Sequence, residues 1–220
     1  MDTKRQEKET FSRFAESTDQ FEAYSHPHAM RIATLADEMA IAFSMARSDR
    51  QSLRHAALMH DLGEAAMKRD YIKRSTALNY DERLDMMRHP VIGEQEAARG
   101  GADRGSQLLV RWHHEWWNGG GYPDALCREQ IPLGARILRV ADTYAALTDA
   151  RPFRPARSVD EARSHLTELA GLEFDPRVVR ALLALSSIPE LDSFAEIDKP
   201  AEEHYEADDM IRELVEELGE

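Results

Sequence analysis

Seven residues in this chain have the types and the spacing for metal chemistry: His28, the doublet His60-Asp61, His89, the doublet His113-His114, and Asp142. His28 continues the apolar face of Ile32, Leu35 and Met39, and His60 closes the stripe of Leu53, Ala56 and Ala57, so neighbours on a helix assign both imidazoles to the interior. Taken singly, either histidine is a core residue bonded to a carbonyl. Asp142 is harder to dismiss, because its segment is apolar on more than one face and a buried carboxylate needs a charge partner. Imidazoles and carboxylates without thiolates suit iron or manganese better than a structural zinc. Seven donors exceed what one ion takes while keeping a water, so two divalent ions, Fe or Mn, are expected.

These residues need elements that converge. Successive helical residues diverge by about 100°, so both members of a doublet reach one site only at a helix end. Gly63 is expected to supply one such end as a helix stop, and Gly119, Gly120 and Gly121 the other. Helical periodicity predicts helices over residues 4–22, from Pro27 to near Met45, from Ser48 or Asp49 to Gly63, and over 81–88 and 90–100 divided at His89-Pro90. Residues 105–114 lead into the loop that follows and carry no helix expectation of their own, and further helices are predicted over 133–148, 158–170 and 175–186. Between 111 and 126 the text RWHHEWWNGGGYPDAL is too irregular for helix or strand and reads as a loop anchored by Trp112, Trp116 and Trp117. No alternating strand pattern appears, so the fold class is all-α. The expected organisation is an N-terminal helix within residues 1–25 packing on a domain of 26–190, then an acidic helical tail over 191–220. In that tail Ile211, Leu214, Val215 and Leu218 form an amphipathic stripe. It must pack on this chain, on a second copy or on a protein partner.

Composition narrows the function classes. The 220 residues carry a formal net charge of -13, which opposes binding to DNA, since a phosphate backbone needs a basic surface. A small phosphorylated ligand is compatible, because metal ions and a few arginines can reverse the field inside one cleft. Cys127 is the only cysteine, so no intrachain disulfide forms and a reducing, cytoplasmic setting is expected. Neither a signal-peptide apolar core nor a membrane span is legible.

The order His28, His60-Asp61 and Asp142 resembles the HD phosphohydrolase superfamily. RHPVIG, HHEWWNGGGYP, PLGARIL, VAD and RPFRP, in that order, are similar to its HD-GYP subfamily. The resemblance covers His28 to Pro176. It implies an HD-domain helical bundle around a metal centre that hydrolyses cyclic di-GMP to linear pGpG or GMP by metal-activated water. Carried over residue by residue, His28, His60, Asp61 and Asp142 would hold one ion, with Asp61 bridging to a second held by His89, His113 and His114. Tyr122, Arg151 and Arg154 match positions that contact the dinucleotide, and Gly121 frees the chain to bring Tyr122 there. From the residues alone, both arginines read as surface charges beside Pro152.

Three positions depart from the subfamily. Glu64 stands where HDxGK has a lysine that is thought to face the scissile phosphate. A unit charge 6 Å away at an effective dielectric near 20 is worth about 3 kcal/mol, and its reversal about twice that. Facing inward, Glu64 would weaken turnover or leave a cyclic di-GMP-binding module without catalysis; bonded to a water at the metals, it would be a catalytic residue beside Asp61. Turned outward, it would pair with Lys68. Tyr24 replaces the glutamate of three-metal members, which again favours two ions. Ala145 replaces an aspartate, which admits another nucleotide as substrate.

Overall fold

The computed structural model of the chain describes residues 2–185 apart from 25, 75 and 151–154. Among them are ten α-helices: α1 Asp2–Phe21, α2 His28–Ala42, α3 Arg47–Met59, α4 Leu62–Met67, α5 Tyr80–Met86, α6 His89–Arg99, α7 Arg104–Trp112, α8 Leu133–Thr148, α9 Val159–Glu168 and α10 Pro176–Ala184. There is no β-strand among the described residues, only an isolated bridge between Ala170 and Phe174. None of the helices among them is long and apolar enough to cross a membrane. The acidic tail and the arginines Arg151 and Arg154 lie outside the described residues.

α8 is the centre of the bundle, and its sequence explains why. Ala135, Ile137, Leu138, Val140, Ala141, Tyr144 and Ala145 are all buried, too many for one stripe, so neighbours cover the helix from several sides. It packs against α2, α3, α7, α9 and α10. α2 buries Ile32, Leu35, Ala36 and Met39 against α3 and α8, and each large side chain there contributes about 2 kcal/mol of hydrophobic stabilisation. α3 continues the packing to α7, α7 to α6, and α6 to α4. α1 closes that side through Phe11, packing on α3 and α4.

Helix ends are set by local chemistry. Asn79 and Glu82 form a capping box on α5, and Ser158 and Glu161 another on α9. Asp103 accepts from the Ser106 amide at the start of α7, and Asp175 precedes Pro176 at the start of α10. The second helix stops at Ala42 rather than near Met45, where Ser44 takes a positive φ of 53° and breaks the ladder.

Gly63 is not the stop that the sequence suggests. α3 ends at Met59, and Gly63 lies inside the next helix, α4, where an added Cβ would stand 2.0 Å from the His89 carbonyl oxygen and 2.8 Å from the Gly93 nitrogen. Its role is close packing: only hydrogen there lets α4 and α6 touch backbone to backbone.

Candidate metal centre

That contact carries His60-Asp61 toward His89. His60 is the C-cap of α3 and Asp61 the N-cap of α4, so the doublet sits at a break where both side chains can turn the same way. His113 likewise caps α7, and His114 follows into the loop. His28 opens α2 and Asp142 projects from α8. All seven sequence-selected donors therefore converge on one region of the bundle.

They form two groups whose donor atoms lie within 4.8 Å of one another: His28, His60 and Asp142 in the first, and Asp61, His89, His113 and His114 in the second. Asp61 faces both. Its Oδ2 is 3.1 Å from His60 Nε2, while its Oδ1 is 3.3 Å from His89 Nε2 and 3.4 Å from His113 Nε2. In the first group Asp142 Oδ1 stands 3.9 Å from the Nε2 atoms of His28 and of His60.

The ring tautomers show what these atoms await. Nδ1 of His60, His89 and His113 lies 2.9, 2.8 and 2.6 Å from the carbonyls of Ala57, Met86 and Val110, so each Nδ1 donates. A neutral ring that donates from Nδ1 keeps a lone pair on Nε2. His89 Nε2 and His113 Nε2 are only 3.4 Å apart, and Asp61 Oδ1, also aimed at them, is buried without a hydrogen bond. With both rings neutral, three acceptors converge with no donor among them, which costs free energy unless a cation enters. His60 Nε2 is likewise buried without a well-formed hydrogen bond. This donor set fits divalent transition metals.

The field agrees. Burial alone would lower the His60 imidazole, yet Asp61 and then Asp142 push it up to about 10, so a proton takes the place where positive charge is favoured. Burial opposes the charge of Asp61, but the charged His60 beside it holds it well below the usual carboxylate range. Burial, with His113, His89 and Arg139 nearby, holds His114 well below the ordinary imidazole range. His114 differs from the other rings: its Nδ1 faces the Arg139 guanidinium at 3.3 Å.

The loop after His114 is built to bring Tyr122 against that ring. An added Cβ at Gly121 would lie 2.2 Å from the Trp116 nitrogen and 2.5 Å from the His114 carbonyl oxygen, so the chain doubles back only with glycine there. Gly119, at a φ of 86°, makes the turn. The Tyr122 amide then donates to the His114 carbonyl, and the two rings stack with centroids 4.9 Å apart. Glu115, buried beneath, accepts from the amides of Asp124 and Leu126. Trp112 donates to Asp124, and the Trp117 amide donates to the Glu173 carbonyl. The tryptophans anchor the loop.

Glu64 faces inward. It is 6% exposed, and its carboxylate lies with those of Asp61 and Glu22 in a third group, within 4.8 Å of one another; the outward position beside Lys68 is not adopted. Tyr24 stacks on His28 at 3.7 Å, and Glu22, two residues earlier, is the acid that comes to this side. Ala145 is fully buried in α8. Sequence reasoning did not select Glu22, Glu115 or Asp149. Asp149 had a usable signal, since it falls seven residues after Asp142 and therefore on the same face of one helix.

Comparison with known proteins gives a consistent picture. The family model described as HD domain matches residues 9–178. Cyclic di-GMP phosphodiesterase response regulator RpfG of Xanthomonas campestris pv. campestris is 37% identical over 180 residues, which are 80% of this chain and 47% of that protein. 3'3'-cGAMP-specific phosphodiesterase 2 of Vibrio cholerae is 27% identical over 71% of this chain and 30% of its own length. The chain thus spans less than half the length of these two relatives. A crystal structure of a cyclic GMP-AMP specific phosphodiesterase of V. cholerae shares the fold, with a TM-score of 0.62 at 17% identity, covering 79% of this chain and 47% of that one.

Proposed function

We propose a cyclic dinucleotide phosphodiesterase, on the premise that this chain belongs to the HD domain family and, by its HHEWWNGGGYP signature and its relatives, to the HD-GYP subfamily. The reading takes cyclic di-GMP as substrate and linear pGpG or GMP as product. The observation that carries it is the convergence of Asp61 Oδ1, His89 Nε2 and His113 Nε2 within 3.4 Å of one another while the Nδ1 atoms of both rings are taken up by main-chain carbonyls. Two ions, iron or manganese, would be held by His28, His60, Asp61 and Asp142, and by Asp61, His89, His113 and His114. Such ions supply Lewis-acid activation of a water and of the phosphodiester.

The protein's own residues do the rest. Asp61 turns one oxygen toward each group and so fixes the spacing between them. Gly121 and Tyr122 form one wall of the substrate pocket, with the phenol ring backed by His114. Arg151 and Arg154 bind the dinucleotide, each guanidinium offering a fork to a phosphate or a guanine edge. Glu64 accepts a hydrogen bond from the attacking water, orienting it. A cytoplasmic location, and contact with a second copy or a protein partner through residues 191–220, complete the reading.

The burial of Glu64 beside Asp61 and Glu22 favours a second reading, in which three carboxylates repel the phosphate enough to leave a cyclic di-GMP receptor without turnover. One experiment separates the two. The protein is loaded with Fe(II) or Mn(II), and cyclic di-GMP and 3'3'-cGAMP are followed by chromatography beside Glu64→Lys. Metal-dependent pGpG from wild type supports the enzyme. Binding without turnover in wild type, with hydrolysis gained in Glu64→Lys, would replace it by the receptor. Turnover of 3'3'-cGAMP alone would move the activity to the other dinucleotide.

A further inference from the structure

His28 is held differently from the rings whose Nδ1 atoms meet carbonyls at helix ends. It opens α2, and its Nδ1 lies 2.8 Å from Asp149 Oδ2, across 121 residues of sequence. Asp149 is 7% exposed and is the C-cap of α8. Its other oxygen is ion-paired with Arg31 Nη1, one turn along α2 from His28. Asp142, two turns earlier on α8, faces Nε2 of the same imidazole at 3.9 Å. One helix therefore offers a carboxylate to each nitrogen of a single ring.

We propose that Asp149 is a positioning residue for the ion of the first group, a role that rests on the metal-centre reading above. By accepting the Nδ1 proton it fixes the tautomer whose Nε2 lone pair points at Asp142, and it strengthens that nitrogen as a donor to a divalent transition metal. Arg31 holds the carboxylate from its far side and stops it from rotating toward the centre. The second group does not depend on Asp149, because the Nδ1 atoms of His89 and His113 are held by main-chain carbonyls and that of His114 faces Arg139.

The test is a Mn(II) titration of chelator-stripped protein, followed by free-manganese electron paramagnetic resonance and by elemental analysis of washed samples. Wild type is compared with Asp149→Ala, Asp149→Asn and Arg31→Met, and thermal unfolding reports whether each variant is folded. Asp149→Ala is expected to weaken one of the two ions about 10- to 100-fold and leave the other unchanged. Asp149→Asn, which still offers an oxygen to Nδ1, should lie between. Two ions at wild-type affinity in folded Asp149→Ala, or equal weakening of both, would overturn the proposal. If Asp149→Ala does not fold, Asp149→Asn and Arg31→Met carry the same comparison. Two manganese ions in a wild type that hydrolyses no cyclic dinucleotide would defeat the phosphodiesterase reading while leaving this result interpretable.

Discussion

The two groups of the centre are built by different means. The second is held largely by the main chain: the His89 and His113 rings are pinned to carbonyls of Met86 and Val110, and Gly121 lets the backbone fold over His114, whose Nδ1 faces Arg139. The first is held partly by side chains, with Asp149 and Arg31 behind His28 and Tyr24 stacked on it. Main-chain carbonyls survive almost any substitution at their own positions. Carboxylates do not, so substitutions behind the ligands should loosen His28 in the first group more readily than His89 and His113 in the second, which yield to changes in backbone packing.

Among substitutions outside the seven donors, the largest expected effect comes from breaking the backbone contact. Gly63→Ala puts a methyl 2.0 Å from the His89 carbonyl, so α4 and α6 must separate; a loss of about 3 kcal/mol should appear as a melting temperature lower by roughly 6–12 °C. His89 should then weaken as a donor. Gly121→Ala meets the Trp116 nitrogen at 2.2 Å, but only a loop must give. About 2 kcal/mol is expected, read in denaturant melts, together with a raised KM for the dinucleotide.

Smaller effects sharpen the contrast from the other side. Arg31→Met removes the cation behind Asp149, and a several-fold weaker first ion is expected in manganese titrations, with the second unchanged. Smallest is Asp103→Ala, which deletes the N-cap of α7 far from either group; it should cost about 1 kcal/mol in chemical denaturation and leave the metal count at wild type.

Much of this was legible from the sequence because it is local. α8 begins and ends where its apolar run does, at Leu133 and Thr148. The break at Pro27 and the His89-Pro90 start of α6 follow from proline chemistry. The histidines stood out because they interrupt apolar stripes. What was not legible depends on distant partners. Gly63 looks like a stop because the His89 carbonyl that forbids a side chain there lies 26 residues later in the chain. Asp149 looks like one more acid after a helix because His28 is 121 residues away. The direction of Glu64 is set by the packing of α1 and α4, which brings Glu22 to it, and no spacing rule reports that.

In the proposed function, two metal-holding groups joined by Asp61 would hydrolyse a cyclic dinucleotide. The most direct measurement is conversion of cyclic di-GMP by Mn(II)-loaded protein, with Asp61→Ala at the same manganese concentration. Linear product from wild type and a rate lower by at least about a thousandfold in Asp61→Ala, roughly 4 kcal/mol of barrier, is the predicted result. Equal conversion by the two proteins, or conversion by wild type that survives removal of metal with a chelator, would contradict it.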